Sequence, residues 1–539
     1  MNSLKQVTIG KMFQETVQEF GSREAIVYSK EEIRYTYQEF YEETAKIAKA
    51  LMGIGIKKGD HIAVWATNVP EWLLLQFATA RMGAVLVTVN TSYQVHELEY
   101  LLQQSDSAAL FLIDGYKGTS YTEMIQSITS RASHPLTKLK HQIYIGSDSC
   151  PEGMTGWNKF LMHAAAVSDA ELEQRESELD QHDAINMQYT SGTTGFPKGV
   201  MLTHHNIVNN GYLIASSMKL THKDRLCIPV PFFHCFGCVL STMAAVTVGA
   251  CMVPTIEFSP DLVLETVERE QCTGLQGVPT MFIAELSLDS FPSYDLSSLR
   301  TGIMAGSPCP IEVMKKVMDQ MGMNEITICY GQTEASPVIT QTTVDDSIER
   351  KVETVGKPHP HVEVKIINPA TGNEMPSNEQ GELCTRGYHV MKGYYKMPEA
   401  TSEAIDADGW LHTGDLASMD EEGYVKITGR LKDMIIRGGE NIYPREIEEF
   451  LYRHPDIVDV QVIGVPDEKY GERTAACIRV REGADLTMQH IKEYCEGQIA
   501  FYKIPEYCFF MDEYPMTASG KIQKFKLREQ ALDWIKERV

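Results

Sequence analysis

Helix-like and strand-like runs alternate from the start of this chain. No other feature narrows its fold as much. "YQEFYEETAKIAKALMGIGI" (37–56) has apolar residues at helical spacing and ends at glycines, and "HIAVWA" (61–66) reads as a strand. "PEWLLLQFATARMG" (70–83) is a helix with proline in its first turn, and "AVLVTV" (84–89) is again a strand. Such alternation predicts an α/β layered architecture with mainly parallel sheets. At 539 residues the chain exceeds one core, so several units are expected. The charged stretch "ELEQRESELDQHD" (171–183) reads as a solvated helix or connection leading into the strand "AINMQYT" (184–190).

That strand delivers "YTSGTTGFPKGV" (189–200), with three glycines, five hydroxyl-bearing Ser, Thr and Tyr side chains, and Lys198. Glycine and Pro197 exclude a helix interior. Backbone N–H groups exposed by glycine, together with hydroxyl donors, suit a phosphate chain. The spacing is not that of a P-loop: counted from Gly192, Pro197 stands where glycine is needed and Gly199 where Ser or Thr is needed. By itself the stretch also fits an ordinary flexible turn.

After about residue 350 the texture changes. "VEVKII", "GELCTRG" and "GYVKITG" are short strands between Gly, Pro and Asn turns, predicting a small β-rich part at about 350–430. Beyond it an α+β unit is expected, with a helix over roughly 444–453, strands "VDVQVIGV" and "AACIRVR", and a second helix near 487–500. The boundary is drawn at 430/431: residues 1–430 form a large domain and residues 431–539 a small one.

The formal net charge of −24 argues against a general nucleic-acid binder, which would carry a basic footprint. Twelve cysteines in so long a chain suggest a reducing, cytoplasmic setting rather than a disulfide scaffold. The opening "MNSLKQVTIGKMFQETVQEF" has no apolar h-region and is read as neither signal peptide nor anchor, and "DWIKERV" carries no peroxisomal or retention address. Leu226 to Ile256 contains no Asp, Glu, Lys or Arg, a length that would suit a membrane span. Pro229, Pro231, Gly237, Gly249 and Pro254 interrupt it, so it reads as a strand or loop ending near His234 and a buried helix over about 237–248, with an apolar ligand pocket as a further reading.

Polar equipment recurs along the chain: "PFFHCFG" with His234, "YGQTE" with Tyr330, Thr333 and Glu334, "WLHTGD" with Asp415, "GRLKD" with Arg430 and Lys432, and "PMTASGKIQK" with Lys521. Each alone has a plain explanation. A histidine in an apolar run is usually a core residue satisfied by one hydrogen bond, an aspartate caps turns, and lysines are mostly exposed. The "CFGC" of Cys235 and Cys238 has no second pair, which disfavours a zinc or redox site; these residues read as pocket wall.

Together and in order, these stretches resemble the adenylate-forming superfamily of acyl-CoA synthetases, luciferases and peptide-synthetase adenylation domains. The resemblance covers nearly the whole chain. "NTSYQVHELEYLLQQSDSAALFLIDGY" and "HCFG" are most similar to medium-chain fatty acyl-CoA ligases. The resemblance implies ATP-dependent adenylation of a carboxylate, then transfer of the acyl group to CoA. It also implies that Thr190, Ser191, Gly192, Thr193, Thr194, Gly195 and Lys198 hold the β- and γ-phosphates, and that Glu334, with Thr190, holds Mg²⁺. By the same resemblance Thr333 contacts the α-phosphate, while Tyr330 and Gly306 flank the adenine. Asp415 accepts the ribose hydroxyls, assisted by Arg430. Lys521 bridges the carboxylate and α-phosphate, Lys432 is a hinge, and Gly438, Gly439 and Asn441 meet CoA. His234 stands at the junction of the carboxylate and acyl pocket.

The partners implied are a fatty acid, ATP and CoA, with no nucleic acid, no integral membrane span, and a homodimer as one option. Alternatives are an aryl or short-chain acid ligase, an amino-acid adenylating enzyme, a luciferase-like oxygenase and a non-catalytic binder. An amino-acid site would place an aspartate near "HCFG", where none stands.

Overall fold

The computed structural model describes residues 3–538 except 132–135, 147–148, 191–196, 308, 438–439 and 468. Two large sheets organise the N-terminal part. One has eight strands, in the order Gly393–Tyr394, Lys198–Thr203, Ala184–Thr190, Val85–Thr88, His61–Trp65, Ala109–Leu112, His141–Tyr144 and Thr155–Gly156. The other has nine: Lys357–Pro358, Val338–Gln341, Glu325–Gly331, Thr301–Met304, Gly274–Gly277, Arg225–Ile228, Cys251–Pro254, Glu24–Tyr28 and Ile33–Thr36. The central pairings are parallel, as the alternation predicts, but antiparallel strands close three of the four edges, Thr155–Gly156 being parallel.

The strands are apolar on both faces because each sheet is covered on both sides. In His61–Trp65, Ile62 and Val64 join one core cluster while Ala63 and Trp65 join another. The shared cluster collects residues from both sheets and from the helices Ile9–Phe20, Tyr37–Gly53, Pro70–Met82, His204–Ser217 and Thr242–Val248. This middle layer lies between the sheets, and outer helices cover their far faces. In Pro70–Met82 only Glu71 escapes full burial, so the helix lacks a polar face, as a central-layer helix should. Pro70 starts it and Gly83, at φ 81°, ends it.

The uncharged Leu226–Ile256 run does not span a membrane: among the described residues no helix is long and apolar enough to do so. Its first strand ends at Ile228, because Pro229 and Pro231 cannot donate to a ladder, and a loop carries the chain on to His234 as expected. A π-helical turn, Phe236–Ser241, then runs into the helix Thr242–Val248.

The strands expected after residue 350 form an antiparallel four-stranded sheet, Val362–Ile367, Gly381–Gly387, Leu411–Met419 and Val425–Arg430. The chain between 350 and 430 also lends Lys357–Pro358 and Gly393–Tyr394 to the two large sheets, so the β-rich part is stitched into them. The C-terminal part has its own sheet of Ile435–Arg437, Glu440–Ile442, Ile457–Asp467, Gly471–Val480 and Tyr507–Phe510, packed by helices Pro444–Leu451 and Lys524–Arg538. The helix expected near 487–500 is shorter, Met488–Cys495; Gly497, at φ 72°, stands two residues past its end.

Candidate active site

Open α/β sheets present ligands at the carboxyl ends of their strands. Here four such ends converge. Ala184–Thr190 ends in Thr190, Arg225–Ile228 leads to His234, Thr301–Met304 leads to Gly306, and Glu325–Gly331 carries Tyr330 and leads to Thr333 and Glu334. The two sheets meet where the Thr190 hydroxyl lies 3.4 Å from Glu334 Oε1.

The expected phosphate loop joins two antiparallel strands, with Thr190 paired to Lys198. A P-loop would instead lead from a strand into a helix, so the hairpin flanks agree with the rejected spacing. Ser191, Gly192, Thr193, Thr194 and Gly195 lie outside the described residues. Lys198 Nζ sits 4.2 Å from the ring centroid of Tyr394, and the Tyr394 hydroxyl donates to Glu334 Oε1 at 2.9 Å. Tyr394 thus ties Lys198 to Glu334. Nothing in its "KGYYK" context singles it out by sequence.

The turn after Tyr330 depends on a close approach. A Cβ at Gly331 would fall 1.8 Å from the Pro337 carbonyl oxygen. Only glycine lets the chain double back and seat Thr333–Ala335, where Thr333 is buried with its hydroxyl 3.6 Å from Cys235 Sγ. Cys238 Sγ accepts from Gln188 Nε2 at 3.3 Å. Both thiols are free and buried, and burial pushes both up, so they are neutral groups.

Asp415 and Arg430 come from adjacent strands of the four-stranded sheet and stand opposite each other. Arg430 Nε lies 2.9 Å from Asp415 Oδ1, and the Tyr330 hydroxyl donates to Asp415 Oδ2 at 2.7 Å. Burial raises the Asp415 carboxyl, opposed by the Arg430 charge and the tyrosine hydrogen bond. Tyr330 is pushed well up by burial beside that carboxylate, so it remains a donor.

Lys521, far along the chain, reaches the same place. Its loop is closed by Thr517 N–H donating to the Lys521 carbonyl at 2.7 Å and by Lys521 N–H donating to Thr517 Oγ1 at 3.0 Å. The Thr280 hydroxyl donates to the Gly520 carbonyl at 3.1 Å and fastens the loop to the large domain. The lysine lines a cavity of ≈ 10 Å³ with Val230, Pro231, His234, Phe236, Val278, Gly306 and Ser519. A volume that small is about one water molecule. Gly306, at φ 89°, leaves room for the lysine stem: a Cβ there would fall 3.7 Å from Lys521 Cε and 3.1 Å from Val278.

Burial lowers the Lys521 ammonium from its ordinary value; Arg430 adds to this, while Glu334 and Asp415 oppose it. The His234 ring accepts the Phe236 N–H at Nδ1, 3.1 Å away, which leaves Nε2 as the protonated nitrogen. Burial, then the nearby Lys521 charge, pull His234 well below its ordinary value, so it is a neutral donor.

Lys432 is exposed in the turn between Val425–Arg430 and Ile435–Arg437. Asn441 lies on the strand Glu440–Ile442 opposite Ile436, away from the lysine loop in sequence; Gly438 and Gly439 lie outside the described residues. The structure therefore gathers Thr190, Lys198, His234, Gly306, Tyr330, Thr333, Glu334, Asp415, Arg430 and Lys521 about one cleft.

Comparison with known proteins gives the same assignment. Residues 13–395 match the model of the AMP-binding enzyme family, and residues 446–521 match that of the AMP-binding enzyme C-terminal domain. The chain is 59% identical over 542 residues to YngI of Bacillus subtilis (strain 168), assigned by name to the acyl-CoA synthetases, covering 99% of this chain and 98% of that one. It is 43% identical over 539 residues to the mitochondrial medium-chain acyl-CoA ligase ACSF2 of Danio rerio, covering 98% and 89%. Among solved structures, ATP-bound MatB from Rhodopseudomonas palustris superposes with a TM-score of 0.83 at 29% identity, covering 97% of this chain and 98% of that one. With two family models matched in order and relatives aligned end to end, this chain belongs to the AMP-binding enzyme family, alongside its acyl-CoA synthetases.

Proposed function

We propose that this chain is an AMP-forming fatty acid–CoA ligase acting on medium-chain acids. The observation that carries the reading is Lys521, a cation seated between His234 and Gly306 with no side-chain hydrogen bond from its ammonium to any described residue. A site that places such a group beside Glu334 and Asp415 is arranged for anions.

In the first half-reaction a carboxylate oxygen attacks the α-phosphorus and the bond to pyrophosphate breaks, giving acyl-AMP. In the second the CoA thiol gives up its proton, its sulfur attacks the acyl carbonyl, and AMP leaves. Negative charge shifts among phosphate and carbonyl oxygens in both steps, and fixed cations and N–H donors stabilise it. Lys521 would bridge carboxylate and α-phosphate, and the His234 Nε2–H would hold the carboxylate at the mouth of the acyl pocket. Thr333 would meet the α-phosphate, and Thr190, Lys198 and the loop of Ser191, Gly192, Thr193, Thr194 and Gly195 the outer phosphates. Asp415, held by Tyr330 and Arg430, would accept the ribose hydroxyls with its two oxygens.

The oxygen donors at Glu334, Thr190 and Tyr394 suit a hard cation, so Mg²⁺ fits there, held by Glu334 and Thr190. When bound, it would neutralise phosphate charge. In this reading residues 1–430 and 431–539 are separate bodies. Lys432 is the hinge on which the smaller turns between half-reactions, withdrawing Lys521 and presenting Gly438, Gly439 and Asn441 to CoA. The reading includes a cytoplasmic location, consistent with twelve unpaired cysteines, and allows a homodimer.

The test is pyrophosphate release with ATP and Mg²⁺ over straight-chain acids from acetate to palmitate, with and without CoA. A CoA-dependent optimum at intermediate length is expected, and a flat ladder overturns the reading. Lys521→Ala should slow adenylation by about 10²–10³-fold, the usual loss for one transition-state donor, and largely spare thioester formation from supplied acyl-AMP. Equal loss in both halves would refute the swing.

A further inference from the structure

Three glutamines are buried near the π-helical turn Phe236–Ser241 or on the sheet beneath it, and their amides fare differently. Gln76 donates to the Cys238 carbonyl and accepts from the Thr242 hydroxyl at 3.2 Å, satisfying backbone that the π turn leaves open. Gln188 donates to Cys238 Sγ. Gln276 is fully buried, and among the described residues neither its Nε2 nor its Oε1 has a hydrogen-bond partner. An amide buried with no partner costs stability and is rare in native cores.

Its position gives it a use. Gln276 pairs with Ile303 on the next strand, and Gly274, on the same face, pairs with Leu226. Leu226, Ile228 and Ile303 belong to the core cluster that also holds Phe236, Cys238, Val278 and Ala305, whereas Leu275, Cys227 and Met304 face the opposite core. Gln276 therefore points towards the π turn. Val278 lies two residues on, about 7 Å along an extended chain, and lines the cavity with His234 and Lys521. In the ligase reading, an acyl chain that leaves its carboxylate at Lys521 would pass His234 and run along this face. There it would meet one unsatisfied donor and acceptor, since Gln76 and Gln188 are already engaged with Cys238.

We infer that Gln276 is a polar subsite of the acyl pocket, so that the acids taken best are medium-chain acids bearing a hydroxyl or keto oxygen a few carbons from the carboxylate. This rests on the ligase reading above. The amide can donate to such an oxygen from Nε2 and accept a hydroxyl proton at Oε1, whereas a plain alkyl chain leaves both unpaired. A site built to hydrogen-bond discriminates strongly against a ligand that lacks the group.

The test compares kcat/KM for pyrophosphate release with octanoate and with hydroxyoctanoates bearing the hydroxyl at each of carbons three to six, for the wild type, Gln276→Leu and Gln276→Met. At least one hydroxy acid should exceed octanoate in the wild type by about tenfold, the usual effect of one hydrogen bond to an otherwise unpaired group. Both variants should invert the preference by raising octanoate and lowering that hydroxy acid. Thermal unfolding of the ligand-free proteins gives an independent reading: Gln276→Leu should raise Tm, because it removes an unpaired buried amide without loss of volume. A wild type that prefers octanoate over every hydroxy acid overturns the inference, as does a preference ratio unchanged in both variants or a lowered Tm. In those cases turnover of octanoate still upholds the ligase reading. Release of no pyrophosphate with any acid removes that reading and the subsite with it.

Discussion

At the scale of single residues, the site is built from groups whose neighbours fix their protonation. Burial raises the Asp415 carboxyl, and Arg430 and the hydroxyl of Tyr330 oppose that rise. Asp415→Asn keeps the shape but loses the charge that Arg430 faces. The KM for ATP should rise about 10- to 100-fold, the span of one hydrogen bond to a charged group, with a smaller change in the KM for acid; steady-state kinetics with each substrate varied checks this. In the proposed mechanism Lys521 acts as a cation, and burial lowers its ammonium from the ordinary 10.5. The alkaline limb of the adenylation rate should therefore fall at lower pH than an exposed lysine would give. Thioester formation from supplied acyl-AMP should lack that limb, which pH profiles of the two half-reactions would reveal.

At the scale of elements, the same burial acts on stability. Asp459 sits in the strand Ile457–Asp467, and burial pushes its carboxyl up to about 6, although Tyr452 and Gln461 donate to it. A carboxyl raised in the folded state contributes stability below its unfolded value and loses it as pH rises through about 6. Asp459→Asn should thus raise Tm relative to the wild type at about pH 7.5, with the gain vanishing near about pH 4, in paired thermal melts. The π turn Phe236–Ser241 makes the same point for backbone. Its irregular carbonyls are met by side chains, with the Ser241 hydroxyl donating to Phe236 O at 2.8 Å and the Thr242 hydroxyl to Cys238 O at 2.7 Å. Periodicity finds a helix there, but an inserted residue does not change the apolar pattern enough to be read.

At the scale of the whole molecule, the C-terminal part touches the rest through a few polar contacts. The Thr280 hydroxyl donates to Gly520 O, an Arg445 N–H donates to Ile427 O at 2.8 Å, and the Ile311 N–H reaches Glu449 Oε2 at 3.4 Å. If the small part swings as proposed, these polar contacts are among those it exchanges. Thr280→Ala should slow adenylation about fivefold, the worth of one neutral hydrogen bond, and leave the thioester half-reaction from supplied acyl-AMP unchanged in single-turnover assays. The sequence by itself determined the layered α/β class, because residue period reports which faces are apolar. The resemblance of its ordered motifs to the adenylate-forming superfamily also marked out the candidate reactive groups. Tertiary structure alone decided that Thr190 meets Glu334 across two sheets, that Tyr394 joins Lys198 to that acid, and that Lys521 arrives beside His234. It decided too that Gln276 is left without a partner among the described residues. Those outcomes depend on contacts between residues tens to hundreds of positions apart, and no local pattern of side chains records which distant groups packing will bring together.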